Sequence, residues 1–189
     1  DRLSLAMMRL VQAKRADLAY DLYRAVARRP GPPAFLRDGD FRHVGPFAPF
    51  DWMLTQSDEL VATPGTNDAG ASVLRLSNRG GRPGVLARQL LLLPAGRYRL
   101  TFAVGDVAGE GADRPRMQVI CADAASTLSD TLFPSASAAG RGVAAEFSVP
   151  PQGCAAQWLT VQAGNPVDAI ANQEWVGDIA ITAMGGAVR

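Results

Sequence analysis

Two periods of hydrophobicity divide the chain. From Leu3 to Arg29 apolar residues recur at helical spacing, at Leu3, Met7, Leu10 and Val11 and again at Leu18, Leu22, Tyr23 and Val26, with no glycine or proline among them. The pattern predicts either one bent helix or two short antiparallel helices, with any break near Lys14-Arg15. Arg29-Pro30-Gly31-Pro32-Pro33 ends it, since proline lacks a backbone donor and drives its predecessor out of the helical region. After this point the period falls to two. Strands are predicted around Asp40–His43, Asp51–Gln56, Val73–Leu76, Val85–Leu93, Arg97–Val104, Met117–Ala122, Ala144–Val149, Gln157–Gln162 and Gly177–Thr182. Eight or nine strands without intervening helices predict a mainly β fold: a two-sheet antiparallel β-sandwich, a jelly roll, with an N-terminal α-helical segment. The expected organisation is a helical segment over 1–29, a Pro/Gly linker over 30–37, the sandwich over 38–185 and a tail over 186–189.

The stretch from Gly84 to Asp106 is the most regular. Val85, Ala87, Gln89, Leu91 and Leu93 share one face of a strand, Pro94-Ala95-Gly96 turns the chain, and Tyr98, Leu100, Phe102 and Val104 share a face of the next, which predicts a β-hairpin. Leu90 and Leu92 make the first of these strands apolar on its outer side as well, which is unusual for an antiparallel sheet wetted on one face. Something should cover them, and the amphipathic segment from Leu3 to Val26 is expected to dock there.

Composition narrows the function without naming it. The chain has 189 residues and a formal charge of +1, and its basic residues are scattered, so no concentrated basic surface for nucleic acid is expected. No apolar run reaches the roughly 20 residues needed to span a bilayer. Cys121 and Cys154 lie in separate strand-like segments, unlike the paired short loops of zinc sites. They are either a disulfide, which would imply an oxidising compartment, or two separate buried thiols.

Two resemblances add to this. The segment ADLAYDLYRAVARRP is similar to a helix of a tetratricopeptide-type repeat, with small and aromatic residues at helical spacing before a proline, and so to the end of a helical repeat array. Asp38-Gly39-Asp40-Phe41, Phe50-Asp51-Trp52, Gln89 leading into LLLLPAGRYRLTF, Val119-Ile120-Cys121, Phe147-Ser148-Val149-Pro150 with Cys154 and Gln157, and Trp175-Val176-Gly177-Asp178-Ile179 occur in an order that resembles carbohydrate-binding modules of the galactose-binding-like jelly-roll superfamily. The resemblance spans about residues 38 to 183. It implies that the opening Gly-Asp-Phe segment and the closing Asp-Ile strand lie close together, and that a structural calcium sits there with Asp40 and Asp178 as side-chain ligands, helped by Asp38 and backbone carbonyls. The alternative is that Asp38-Gly39 forms a turn and Asp178 takes a hydrogen bond at a strand start.

Catalysis has little to work with. His43 is the one histidine, without a nucleophile suggested nearby, and no pair of carboxylates can be chosen for glycoside hydrolysis. The reading is therefore not an enzyme. Sugar binding calls for an aromatic platform edged by polar side chains. If Gln157, Leu159 and Val161 point inward, Trp158, Thr160 and Gln162 point outward, beside either Gln118 and Ile120 or Arg97, Arg99 and Thr101. The candidate ligand-binding residues are Trp158, Gln162, Gln118, Arg99 and Trp52, although Trp158 could be covered by a helix and Trp52 could be core. The expected role is a non-catalytic carbohydrate-binding module that binds or presents a polysaccharide in the bacterial periplasm, cell envelope or secreted fraction. The alternative is a scaffolding module of envelope or secretion machinery, with protein partners engaged through the helical segment. A helix lying over Trp158 would favour the alternative.

Overall fold

The structure, a computed structural model, describes residues 2–27, 35–124, 126–164 and 174–185. The helical period resolves into two helices, α1 (Arg2–Gln12) and α2 (Ala16–Ala27). They separate where Lys14 takes a left-handed φ of 59°. Arg15 N–H then reaches the Leu10 carbonyl (2.8 Å) and Lys14 N–H the Val11 carbonyl (2.9 Å), the paired bonds of a Schellman motif that satisfy the last carbonyls of α1.

The strands are β1 (Met53–Leu54), β2 (Leu60–Thr66), β3 (Ser72–Asn78), β4 (Gly84–Leu91), β5 (Gly96–Gly105), β6 (Arg116–Cys121), β7 (Thr127–Leu132), β8 (Arg141–Val149), β9 (Gln157–Ala163) and β10 (Trp175–Ala183). They form two five-stranded antiparallel sheets, ordered β1-β4-β9-β6-β7 and β2-β3-β10-β5-β8. The alternating positions of both sheets meet in one core, where Leu74, Leu100, Val104, Val119, Leu159 and Val176 are fully enclosed. The mainly β, two-sheet sandwich with N-terminal helices is as the periodicity predicts.

The connections differ from expectation in one important place. β4 and β5 do not pair as a hairpin: β4 lies in the first sheet between β1 and β9, and β5 in the second between β10 and β8. The backbone that a hairpin would use is held by a side chain instead. Leu93 N–H donates to Gln157 Oε1 (2.9 Å), and Gln157 Nε2 donates to the Leu93 carbonyl (3.4 Å), so the chain turns a corner from one sheet to the other. Tyr98, whose hydroxyl donates to the Pro94 carbonyl (2.7 Å), closes that corner.

Smaller corrections have the same character. Residues 40–43 form turns rather than a strand, with Phe41 at a φ of 54°, and the expected 51–56 segment shrinks to the strand Met53–Leu54 with an isolated bridge from Gln56 to Val61. Two unpredicted strands, β2 and β7, are both sheet edges. β2 carries Pro64-Gly65, which an edge tolerates because one row of its backbone donors has no partner, and β7 (TLSDTL) is too polar to announce a buried face.

A second apolar cluster lies outside the sandwich. Met7, Ala16, Ala19 and Tyr23 of the helices pack with Phe50, Leu90 and Ala156, flanked by Leu92 and Trp158. Leu90 is 2% exposed. The two-sided apolarity of β4 is thus explained: Leu91 and Leu93 face the sandwich core, and Leu90 and Leu92 face the helices. Enclosing each such side chain contributes about 1.5–3 kcal/mol. A polar tie sets the position of α2, since the Tyr23 hydroxyl donates to Asp51 Oδ1 (2.9 Å) while Phe47 N–H donates to Asp51 Oδ2 (3.0 Å).

Candidate functional site

The outer face of the first sheet is divided by these helices. The covered part holds Leu90, Leu92, Ala156 and one side of Trp158. Beyond it the register sets polar residues in rows, the longest of them across four strands. Arg88 of β4 stands opposite Thr160 of β9, which stands opposite Gln118 of β6, and Gln118 faces Asp130 of β7. In the next row Gln162 of β9 faces Arg116 of β6.

Side-chain contacts knit the rows. Gln162 Nε2 donates to Gln118 Oε1. Arg116 pairs with Asp130 at 2.9 Å, and the Arg88 guanidinium sits 4.7 Å from the centre of the Trp158 ring. In the middle Thr160 is 4% exposed, and its Oγ1 has no hydrogen-bond partner among the described residues. A buried hydroxyl without a partner is costly, which marks this point as one where an incoming donor or acceptor would gain.

Of the residues expected to bind a ligand, the structure brings Trp158, Gln162 and Gln118 together. Trp158 is flanked by Ile120 on β6 and Leu90 on β4, not by residues of β5. Arg99 is elsewhere: it lies on β5 in the second sheet, paired in register with Glu146. Trp52 is a core residue, 4% exposed, packed on Phe41 at 5.0 Å, with its indole N–H donated to the carbonyls of Arg37 (3.0 Å) and Asp38 (3.1 Å). Thr160 was an outward position by strand parity alone, whereas Arg88 was missed, because only the pairing of β4 with β9 sets it beside Thr160.

The opening and closing segments do meet, since Ile179 N–H donates to the Gly39 carbonyl (3.0 Å), and a side chain at Gly39 would collide with the Ile179 carbonyl. Asp40 is engaged by Arg42 (3.3 Å) and accepts the Arg42 N–H, Asp178 is exposed at a bulge in β10, and no cluster of three acidic, histidine or cysteine side chains suited to a metal occurs among the described residues. His43 is exposed in a turn.

Cys121 and Cys154 form a disulfide, with a Cα–Cα distance of 5.2 Å. It joins the end of β6 to the segment before β9, next to Ala122 and Ala156 of the helix-covered cluster. Apart from the strip, burial pushes the Glu174 carboxyl up to about 7, and Glu174 Oε1 has no partner among the described residues.

No protein-family model and no curated protein matches the chain. Solved structures share its fold. A Stig cyclase, Fisc from Fischerella sp. TAU in complex with an indole compound, superposes with a TM-score of 0.57 at 12% identity, over 80% of this chain and 96% of its own. A CBM4 module aligns at 0.54 and 14% identity, over 79% and 99%, and TmCBM61 in complex with β-1,4-galactotriose at 0.52 and 14%, over 81% and 100%. The chain is therefore similar in architecture both to carbohydrate-binding modules and to a cyclase built on the same sandwich. No helix among the described residues is long and apolar enough to cross a membrane.

Proposed function

We propose that the chain is a non-catalytic carbohydrate-binding module whose site is the uncovered polar strip of the first sheet. The observation that carries this reading is the hydroxyl of Thr160, enclosed between Arg88 and Gln118 and without a hydrogen-bond partner among the described residues. Sugar rims present hydroxyls that both donate and accept, and the amides of Gln118 and Gln162 offer both functions at neighbouring positions. Because helices cover part of Trp158, the platform expected of that ring is weakened, and recognition is assigned mainly to the polar side chains, with the Arg88–Trp158 stack as one wall. CBM4 and CBM61 modules on the same sandwich, one of them holding a galactotriose, support a neutral oligosaccharide as ligand. The disulfide suits an oxidising compartment such as the periplasm or the cell surface.

A glycan-array screen tests it, comparing the natural chain with Gln118→Ala and Thr160→Val. Binding to an oligosaccharide, weakened about tenfold by either substitution, is expected. No glycan bound, or binding indifferent to both substitutions, would overturn the assignment. A scaffolding role is favoured by a different observation, the exposure of Leu5 (54%) and Leu18 (40%) on the helices, where a preceding helical repeat or a partner could pack. Leu5→Glu with Leu18→Glu would abolish such an association and leave glycan binding intact.

A further inference from the structure

A cavity of about 180 Å³ lies between α2 and the end of β4. Tyr20, Phe35 and Phe50 line it with aromatic rings, Leu90 and Leu92 with aliphatic side chains, and Arg37 supplies its charge. It is separate from the polar strip, since neither Gln118, Thr160 nor Gln162 borders it.

Arg37 is held in place from two sides. Its backbone N–H donates to Gln89 Oε1 (2.9 Å), and Gln89 Nε2 donates to its carbonyl (3.1 Å), which explains why a glutamine is buried at 1% exposure between Ala87 and Leu91 on the inner face of β4. The guanidinium lies 4.6 Å from the centre of the Tyr23 ring and donates through Nη2 to the Tyr20 hydroxyl (3.3 Å). No carboxylate pairs with it among the described residues. A guanidinium has five N–H donors in a planar fork, so a fixed, half-buried arginine beside an apolar chamber retains donors for an anion.

Size and chemistry then select the ligand. An engineered apolar cavity of about 150 Å³ admits benzene, so this one accommodates a single aromatic ring and a small substituent. Aromatic walls favour a flat ring in edge or offset contact, and the fork of Arg37 matches a carboxylate through two parallel hydrogen bonds. We propose that this cavity is a second binding site, for a small monocyclic aromatic carboxylate, with the ring between Tyr20, Phe35 and Phe50 and the carboxylate on Arg37.

The test is an amide and aromatic NMR titration of the oxidised chain with benzoate, with benzyl alcohol and acetate as probes lacking the charge or the ring. Saturable shifts at Tyr20, Phe35, Phe50 and Arg37 with benzoate are expected, at an affinity at least about tenfold above that of either control. Arg37→Met should lower benzoate affinity to the level of benzyl alcohol, and Leu92→Trp should block both rings by filling the space. Equal affinity for benzoate and benzyl alcohol, no saturation with benzoate, or shifts confined to other surfaces would overturn the proposal. The comparison of the three probes on the natural chain decides it even if Arg37→Met fails to fold, and it is independent of whether any glycan binds the strip.

Discussion

The covered and open parts of the first sheet's outer face are built from the same strands and have opposite fates. On β9, Trp158 is drawn into the cluster under α1 and α2, while Thr160 and Gln162, two and four residues further on, face a polar surface. On β4, Leu90 is enclosed by the helices and Arg88 is not part of their cluster. The switch from apolar to polar happens within one step of the strand period. A sheet face can thus serve as scaffold at one end and as recognition surface at the other, with the Arg88–Trp158 stack as the border between them.

The contrast can be broken most forcefully through the disulfide. Replacing both cysteines, Cys121→Ser with Cys154→Ser, removes a link across 33 residues and is expected to cost about 3–4 kcal/mol in urea unfolding. Hydrogen exchange should accelerate first in α1 and α2, because Ala122 N–H bonds to the Ala156 carbonyl (2.8 Å) beside the bridge and both alanines touch the helices. Uniform acceleration across β7 and β8 as well would mean that the covered end is not a unit. Next, Leu90→Ala should cost about 3 kcal/mol and Gln118→Ala less than about 0.5 kcal/mol, since the first opens a cavity in a packed cluster and the second trims a surface amide. Similar costs at the two positions would erase the distinction.

A group outside both halves serves as a control. Glu174, with its folded pKa raised to about 7 from 4.5 by burial, lends stability below 4.5 that is lost as pH rises through 7. Glu174→Gln does not titrate, so its advantage over the natural chain should be about 2–3 kcal/mol at pH 8 and vanish below pH 4.5. Thermal melts across that range check it, and a flat difference would show that the carboxyl is not held neutral. Tyr23→Phe sharpens the covered side, because losing the hydroxyl bond to buried Asp51 should cost about 2 kcal/mol and loosen α2 without affecting ligand binding at Gln118. The smallest effect concerns calcium. Since no cluster of three acidic, histidine or cysteine side chains suited to a metal occurs among the described residues, millimolar calcium and chelator are expected to give the same melting temperature, and a rise with calcium would support the ion that the family resemblance implies.

Much of this was legible in the chain. The helical period and the covering of Leu90 and Leu92 follow from spacing, because a strand apolar on both faces requires a second layer, whereas one bent helix or two stayed open until the left-handed Lys14 divided them. Strand parity also grouped Trp158, Thr160 and Gln162, and the pairing of β9 with β6 decides for Gln118 and Ile120 as their neighbours over Arg97, Arg99 and Thr101. What escaped was pairing. Gly84–Asp106 reads as a hairpin by every local rule, and only the capture of Leu93 by Gln157, 64 residues away, turns it into a corner between sheets. Arg99 was misplaced for the same reason, since assigning β4 and β5 to one sheet put their outer residues on one surface. Trp52 is by sequence a candidate ligand-binding residue with core packing as its alternative, and the alternative holds, because its N–H is taken by the carbonyls of Arg37 and Asp38.

The helical hairpin has a consequence in time as well as in space. α1 and α2 are synthesised before the strand that completes their seat, β9, which begins only at Gln157. Until β9 is made, the stripe of Met7, Ala19 and Tyr23 lacks part of its seat, and the growing chain carries an amphipathic surface that a chaperone or neighbouring helices can hold. Closure of that seat therefore follows the synthesis of β9, and it marks the first sheet, not yet the second, as complete.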